Sequence, residues 1–355
     1  MSTKTQAGNF FEDFSVGQVI VHPTPRTITD GDVSLYTALF GARIAVVSSS
    51  PFAETVGLPR APIDSMLVLH MVFGKTVPDI SLNAIANLGY ADGRYGGPVF
   101  PGDTVSTTST VLGVKANKDG ITGVVYVRSR GVNQRGEMVV EYTRWVMVRK
   151  RDAASPPPET VLPTLPDAVT ADSLTIPFQI TEGAYDTTRA GSAHVWDDYA
   201  VGERIDHVDG MTIEEAEHML AARLYQNTAK VHFNQHVERE GRFGRRIIYG
   251  GHIISLARAL SFNGLANAFA VVGINGGRHV NPTFAGDTIY AWSEILDRQP
   301  LAERKDLGVL RVRTVALKDR SPAGFPLRDE AGAYVTNVVL DFDYWVVMPT
   351  RQACR

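Results

Sequence analysis

The chain carries one ordered set of landmarks twice, and this repetition limits its fold more than any other feature. Phe11-Glu12-Asp13-Phe14-Ser15-Val16-Gly17 returns as Trp196-Asp197-Asp198-Tyr199-Ala200-Val201-Gly202, offset by 185 residues. His22 and His207 keep that spacing, as do Thr27-Ile28 and Thr212-Ile213. The stretch from Gly93-Arg94-Tyr95 to Gly102-Asp103-Thr104 matches Gly277-Arg278-His279 to Gly286-Asp287-Thr288 at an offset of 184. Arg144-Trp145-Val146 and Tyr344-Trp345-Val346 then close the two copies. So many markers in one order point to a duplicated unit. Between the copies stand Pro156-Pro157-Pro158, Pro163 and Pro166. Proline donates no ladder hydrogen bond and favours extended backbone, so this stretch reads as a covering linker. The expected division is a first repeat at 1–151, a linker at 152–175 and a second repeat at 176–355.

Each copy has the same coarse grammar. A short strand precedes an amphipathic helix, expected at 30–40 and 214–225. Thr212 with Glu215 has capping-box spacing, and Thr29 with Asp32 is a weaker version. An apolar helix follows, at 65–74 and 252–262. Met66, Leu67, Leu69, Met71, Val72 and Phe73 leave little polar face, so the first of these helices must be buried nearly all round. Strands are expected at 104–114, 123–130 and 139–148, then at 288–296, 308–317 and 338–347, with half-buried alternation in Val124-Val125-Tyr126-Val127-Arg128. A curved antiparallel sheet wrapped around one buried helix satisfies this pattern, because the concave face needs an apolar filling. The expected class is α+β, with that unit present twice.

Charge and composition narrow the function. Thirty-five basic against 38 acidic residues give a formal charge of −3, so no global basic field invites nucleic acid. No apolar run reaches the roughly 18–20 residues of a membrane span, and residues 1–9 read as polar rather than as a secretory leader. Cys354 is the single cysteine, which excludes an internal disulfide and makes a structural zinc cluster a poor expectation. A cytoplasmic setting follows as an expectation.

The Pro-x-x-x-Gly-Asp-Thr segments, Pro98 to Thr104 and Pro282 to Thr288, resemble the strand-entry signature of the MaoC-type hydratase and dehydratase family. Two further segments, from Phe73-Gly74-Lys75 to Asn83 and from Arg242-Phe243-Gly244 to His252, are similar to the mesaconyl-CoA hydratase branch of that family. The likeness extends over about 300 residues. It implies a double hot dog, an acyl-coenzyme A substrate, a hydro-lyase reaction and no cofactor beyond the coenzyme A of the substrate. A homodimer is a further expectation. Hydration of a crotonyl-like or itaconyl-like thioester, thioester hydrolysis and plain acyl-CoA binding stay open as alternatives.

Hydrating an enoyl thioester needs donors for the enolate-like oxygen, a base for water and an acid for the α-carbon. The family places a carboxylate and a histidine five residues apart, a motif that falls on Asn227 and His232. Five helical positions span 500°, so the helix must end near Asn227 for both side chains to face one substrate. An amide cannot take a proton from water. His232 is therefore read as the acid/base and Asn227 as a water-orienting partner, with Asp64, Asp92 and Glu215 as positional candidates for a replacement carboxylate. The matching first-copy positions are Ala42 and Val47, so one site per chain is expected, in the second repeat. Gly250 and Gly251 open the second apolar helix, where unpaired N–H groups can hold a thioester oxygen. The resemblance places its oxyanion glycine on Gly250, while tight packing is an equal reading for Gly251. His252, Tyr249, Arg245 and Arg246 are candidate substrate or coenzyme A contacts; His252 has helix capping as its alternative, and the arginines a solvated loop face. His207, His218, His232 and His252 lack metal-ligand spacing, so no metal is expected.

Overall fold

The computed structural model describes residues 4–302 and 304–355. Ten strands form one antiparallel sheet: β1 (Val19–Thr27), β2 (Ala84–Tyr95), β3 (Thr104–Ala116), β4 (Thr122–Val132), β5 (Met138–Arg149), β6 (Arg204–Thr212), β7 (Ala270–His279), β8 (Thr288–Pro300), β9 (Leu307–Lys318) and β10 (Val338–Pro349). Their order is β1-β3-β4-β5-β2-β7-β10-β9-β8-β6. Read from the middle outward, the two halves are the same. The sequence repeat is thus a pseudo-twofold of the fold.

The halves join where β2 pairs with β7, Tyr90 opposite Gly277 and Gly93 opposite Ile274. Neither strand stood out in the sequence, because glycines interrupt both. Those glycines have packing reasons. A Cβ on Gly93 would lie 2.6 Å from the Ile274 Cβ, and one on Gly277 would lie 2.9 Å from the Tyr90 ring. The joint closes only because these side chains are missing.

Five helices matter for the site: α1 (Asp30–Phe40), α2 (Ser65–Thr76), α3 (Glu215–Leu224), α4 (Lys230–Phe233) and α5 (Gly250–Leu260). Helices α2 and α5 are the two fillings of a double hot dog. Every residue of α2 from Met66 to Thr76 is buried, as its apolar composition requires. They touch at equivalent points of the repeat, where His70 Nε2 and Ser255 Oγ lie 3.0 Å apart. One continuous core crosses from Ile28 and Val72 in the first half to Leu256 and Val312 in the second.

Capping reverses the sequence expectation. The Thr29–Asp32 box forms at the start of α1, with both reciprocal bonds present. Thr212 instead bonds Thr288 through their hydroxyls, α3 begins without a side-chain cap, and Glu215 turns to Arg246. Sequence spacing alone could not reveal those competing long-range partners. Helix α5 also starts two residues before the expected position, so Gly250 and Gly251 belong to its first turn.

Residues 152–175 run over the outer face of the sheet. Val161 bridges Val114, while Val169 donates to Asn275 and accepts from the Trp345 indole. This stretch and the residues after it cover an apolar cluster containing Phe178, Phe269 and Val347. Among the described residues, no helix is long and apolar enough to cross a membrane.

Candidate active site

The tip of α3 makes the turn that the Asn227–His232 spacing demands. The helix stops at Leu224, and Gln226 adopts φ +57°, a left-handed conformation that a side chain tolerates only when its surroundings hold it. The surroundings are α2. A Cβ on Gly74 would lie 1.6 Å from the Tyr225 carbonyl oxygen, so only glycine admits this approach. Lys75 Nζ donates to the Gln226 side-chain carbonyl. The unusual Phe73-Gly74-Lys75 run of the first copy thus anchors the turn after α3 in the second.

Asn227 is buried, and its Oδ1 accepts the Ala229 N–H at 3.2 Å, which tightens the turn into α4. His232 sits on α4, partly exposed. Its Nδ1 donates to the Ile247 carbonyl at 2.9 Å. A carbonyl can only accept, so Nδ1 carries the proton and Nε2 keeps a free lone pair. Burial pushes the imidazole down to about 4, against the raising effect of the Ile247 bond, so the ring is neutral at physiological pH. No hydrogen bond joins Asn227 to His232 among the described residues.

Around this ring stands a cluster of histidines and tyrosines. His232 lies 5.6 Å from the Tyr249 ring and 6.2 Å from His218, and His218 lies 5.7 Å from His252. His218 Nε2 accepts the Tyr249 N–H at 3.0 Å, so its proton resides on Nδ1. His252 packs edge-on against Phe40, and its Nδ1 has no hydrogen-bond partner. It does not cap α5, whose N-cap is Tyr249. A polar thread links the two helices: Tyr36 donates to Ser255 Oγ, Ser255 meets His70, and His70 Nδ1 lies 3.4 Å from the Tyr249 hydroxyl. Burial drives His70 and His252 to about 3 and His279 to about 4. Among the described residues, no three His, Cys, Asp or Glu side chains are grouped to hold a metal ion.

The two glycines at the start of α5 are required by close neighbours. A Cβ on Gly250 would lie 2.3 Å from the His279 ring, and one on Gly251 would lie 2.3 Å from Tyr249 and 2.6 Å from His70. His279, from β7, thus lies directly over the helix start, with Nε2 3.4 Å from the Tyr90 hydroxyl. The N–H groups of this first turn carry the positive end of the helix dipole.

The remaining sequence candidates sit elsewhere. Arg246 pairs with Glu215 at 2.7 Å, fastening the 234–247 loop to α3. Arg245 stacks on Phe284, 3.9 Å from the ring centre, on the surface. Asp92 pairs with Arg94 and Arg128, while Asp64 caps α2 through the Met66 N–H. Ala42 lines a small cavity beside Asp64, and Val47 packs into the outer apolar cluster.

Sequence reasoning did not single out His70, His279, Tyr90, Tyr225 or Arg144. A signal was present for three of them. The copies disagree at these places: His279 stands where the first copy has Tyr95, His70 where the second has Ser255, and Arg144 where the second has Tyr344.

A family model described as mesaconyl-CoA hydratase matches residues 1–326. The β-methylmalyl-CoA dehydratase of Chloroflexus aurantiacus is 69% identical over 351 residues, covering 99% of this chain and 100% of that protein. The crystal structure of a MaoC domain protein dehydratase from the same organism superposes with a TM-score of 0.96 at 68% identity, over 99% of this chain and 100% of the other. A double-hot-dog protein from Mycobacterium tuberculosis reaches a TM-score of 0.78 at 25% identity, over 97% and 99% of the two chains. With its doubled sheet, its paired central helices and a family match over nearly its whole length, this chain belongs to the mesaconyl-CoA hydratase family.

Proposed function

We propose that the protein is a hydro-lyase that interconverts mesaconyl-CoA and water with β-methylmalyl-CoA, using side-chain acid–base chemistry, with coenzyme A entering only as part of the substrate. The observation that carries this reading is the fixed tautomer of His232. Its Nδ1–H is held by Ile247, which leaves a neutral Nε2 close to the first turn of α5.

In the hydration direction, Nε2 takes one proton from water as the oxygen bonds to the β-carbon. The electron pair of the double bond moves toward the thioester carbonyl, and the resulting enolate oxygen is stabilised by the N–H groups of Gly250 and Gly251. The imidazolium then returns a proton to the α-carbon, restoring the thioester. Atoms and charge balance, and no redox group is needed. A ring that burial holds near 4 is, once protonated, a stronger acid than an ordinary imidazolium, which favours this second transfer. Asn227, whose Oδ1 is committed to Ala229, offers its amide N–H groups to hold the water.

The test is hydration of mesaconyl-CoA by His232→Ala, followed by loss of enoyl-thioester absorbance. Loss of a general acid/base costs about 10²–10⁴ in rate. Activity within a few-fold of the unaltered protein would remove His232 from the mechanism. Release of free thiol in place of hydration would instead mark a thioesterase.

A further inference from the structure

Arg144 is the largest fully buried side chain of the molecule among the described residues, and no carboxylate pairs with it. On β5, Tyr142, Arg144 and Val146 turn inward toward the helices, so the guanidinium lies beneath the end of α2. Nη2 donates to Thr76 Oγ1 and Ser81 Oγ, each at 2.8 Å, and Nη1 makes a long 3.4 Å contact with Asn87. Nε has no partner, and neither do the neighbouring Tyr142 hydroxyl and Asn87 Nδ2. A cation enclosed this way loses its hydration, and neutral hydroxyls replace only part of it. Arginine cannot escape by giving up its proton. An anion brought to this site would supply the partner that the hydroxyls do not.

Its position indicates which anion. The guanidinium lies 4.3 Å over the Phe73 ring, and Phe73 is 5.5 Å from the Tyr249 ring, which in turn adjoins His232. Tyr90, whose hydroxyl faces His279 over Gly250, is the cross-strand neighbour of Arg144 on β2. Only two aromatic rings, Phe73 and Tyr249, therefore separate the arginine from the proposed acid/base. The equivalent residue of the second copy is Tyr344, an uncharged side chain bonded to Thr314, so the doubled framework itself does not call for a cation here. Mesaconyl-CoA differs from a simple enoyl-CoA in carrying a free carboxylate on its β-carbon.

We infer that Arg144 is the receptor for the free carboxylate of the acyl group: the first copy supplies the specificity cation, and the second copy supplies the acid/base. The inference rests on the proposed substrate. Arginine suits the task because its planar fork donates two parallel hydrogen bonds to a carboxylate.

Two unreactive saturated thioesters test it by calorimetric titration: 2-methylsuccinyl-CoA, which keeps the carboxylate, and 2-methylbutyryl-CoA, which has a methyl group in its place. In Arg144→Met, affinity for the first should fall by about 10²-fold, while affinity for the second changes less than threefold. Arg144→Lys should fall in between and remain selective for the carboxylate compound, and it substitutes for the methionine variant if that protein lacks a native circular-dichroism spectrum. Equal weakening of both ligands, or of neither, overturns the assignment. Turnover of mesaconyl-CoA by the unaltered protein separates the two failures. If it hydrates mesaconyl-CoA while Arg144→Met treats both ligands alike, only the role of Arg144 is lost. If it fails to hydrate mesaconyl-CoA, the proposed function itself is lost.

Discussion

Lowering the pH from 8 to 5.5 should destabilise this protein far more than an ordinary domain of its size. His70, His207, His218 and His252 are at most 1% exposed, and burial pushes each well below its usual range: about 3 for His70, 4 for His207, 2 for His218 and 3 for His252. In the unfolded chain each titrates near 6.5. Between about 6.5 and 4, therefore, the unfolded state binds protons that the folded state refuses. Stability contributed by neutral burial is present above that window and is lost as the pH falls through it. At pH 5.5 each unfolded imidazole is about 90% protonated, worth about 1.4 kcal/mol, and four of them amount to about 6 kcal/mol. Whole-domain stabilities are about 5–15 kcal/mol, so this is a large share. Urea titrations at half-unit pH steps would measure it, and these four rings should contribute uptake of between three and four protons on unfolding to the slope at pH 5.5, with His232 and His279, also held near 4, adding up to about one each. His252→Phe should reduce that uptake by about one. A stability that stays flat between pH 7.5 and 5.5 would refute the reasoning, since it would mean that these rings are charged or solvated in the folded state.

Gly74→Ala gains roughly 1 kcal/mol of helix propensity but drives a methyl group into the Tyr225 carbonyl, so the net result should be a lower Tm and a displaced Gln226 turn, with activity falling alongside. An unchanged melting curve would contradict the close approach of α2 to that turn. Gly250→Ala keeps the backbone N–H but must swing His279 aside; a loss of about 10² in kcat is expected, with normal far-ultraviolet circular dichroism. Wild-type kcat in that variant would show that the placement of His279 over the helix start is irrelevant to the chemistry. The two tests described above, on His232 and Arg144, complete the set.

Local regularities made much of this architecture readable from residue order. Helix α1 begins and ends where Asp30 and Phe40 predict, and the mostly apolar run after Ser65 forms the buried filling that such a composition demands. Both depend on near-neighbour periodicity, which a chain displays without folding. The duplication also set the two copies apart at the proposed site, because Asn227 and His232 have no proton-moving counterparts at Ala42 and Val47. The central strands β2 and β7 were hidden, since glycines that let the halves meet erase the alternation that marks a strand.

Residue order determined the two-copy plan and the α+β class, and it pointed to the second copy for the proposed acid/base. Tertiary structure alone decided what surrounds it. His70 and Tyr90 come from the first copy, and His279 from a strand far beyond His232, yet all converge on the start of α5, with Arg144 of the first copy one ring further away behind Phe73. The physical reason is distance along the chain. Contacts across a sheet joint between two copies leave no periodic trace in either one, and the burial of a charge such as that of Arg144, with no carboxylate beside it, becomes visible only in the folded molecule.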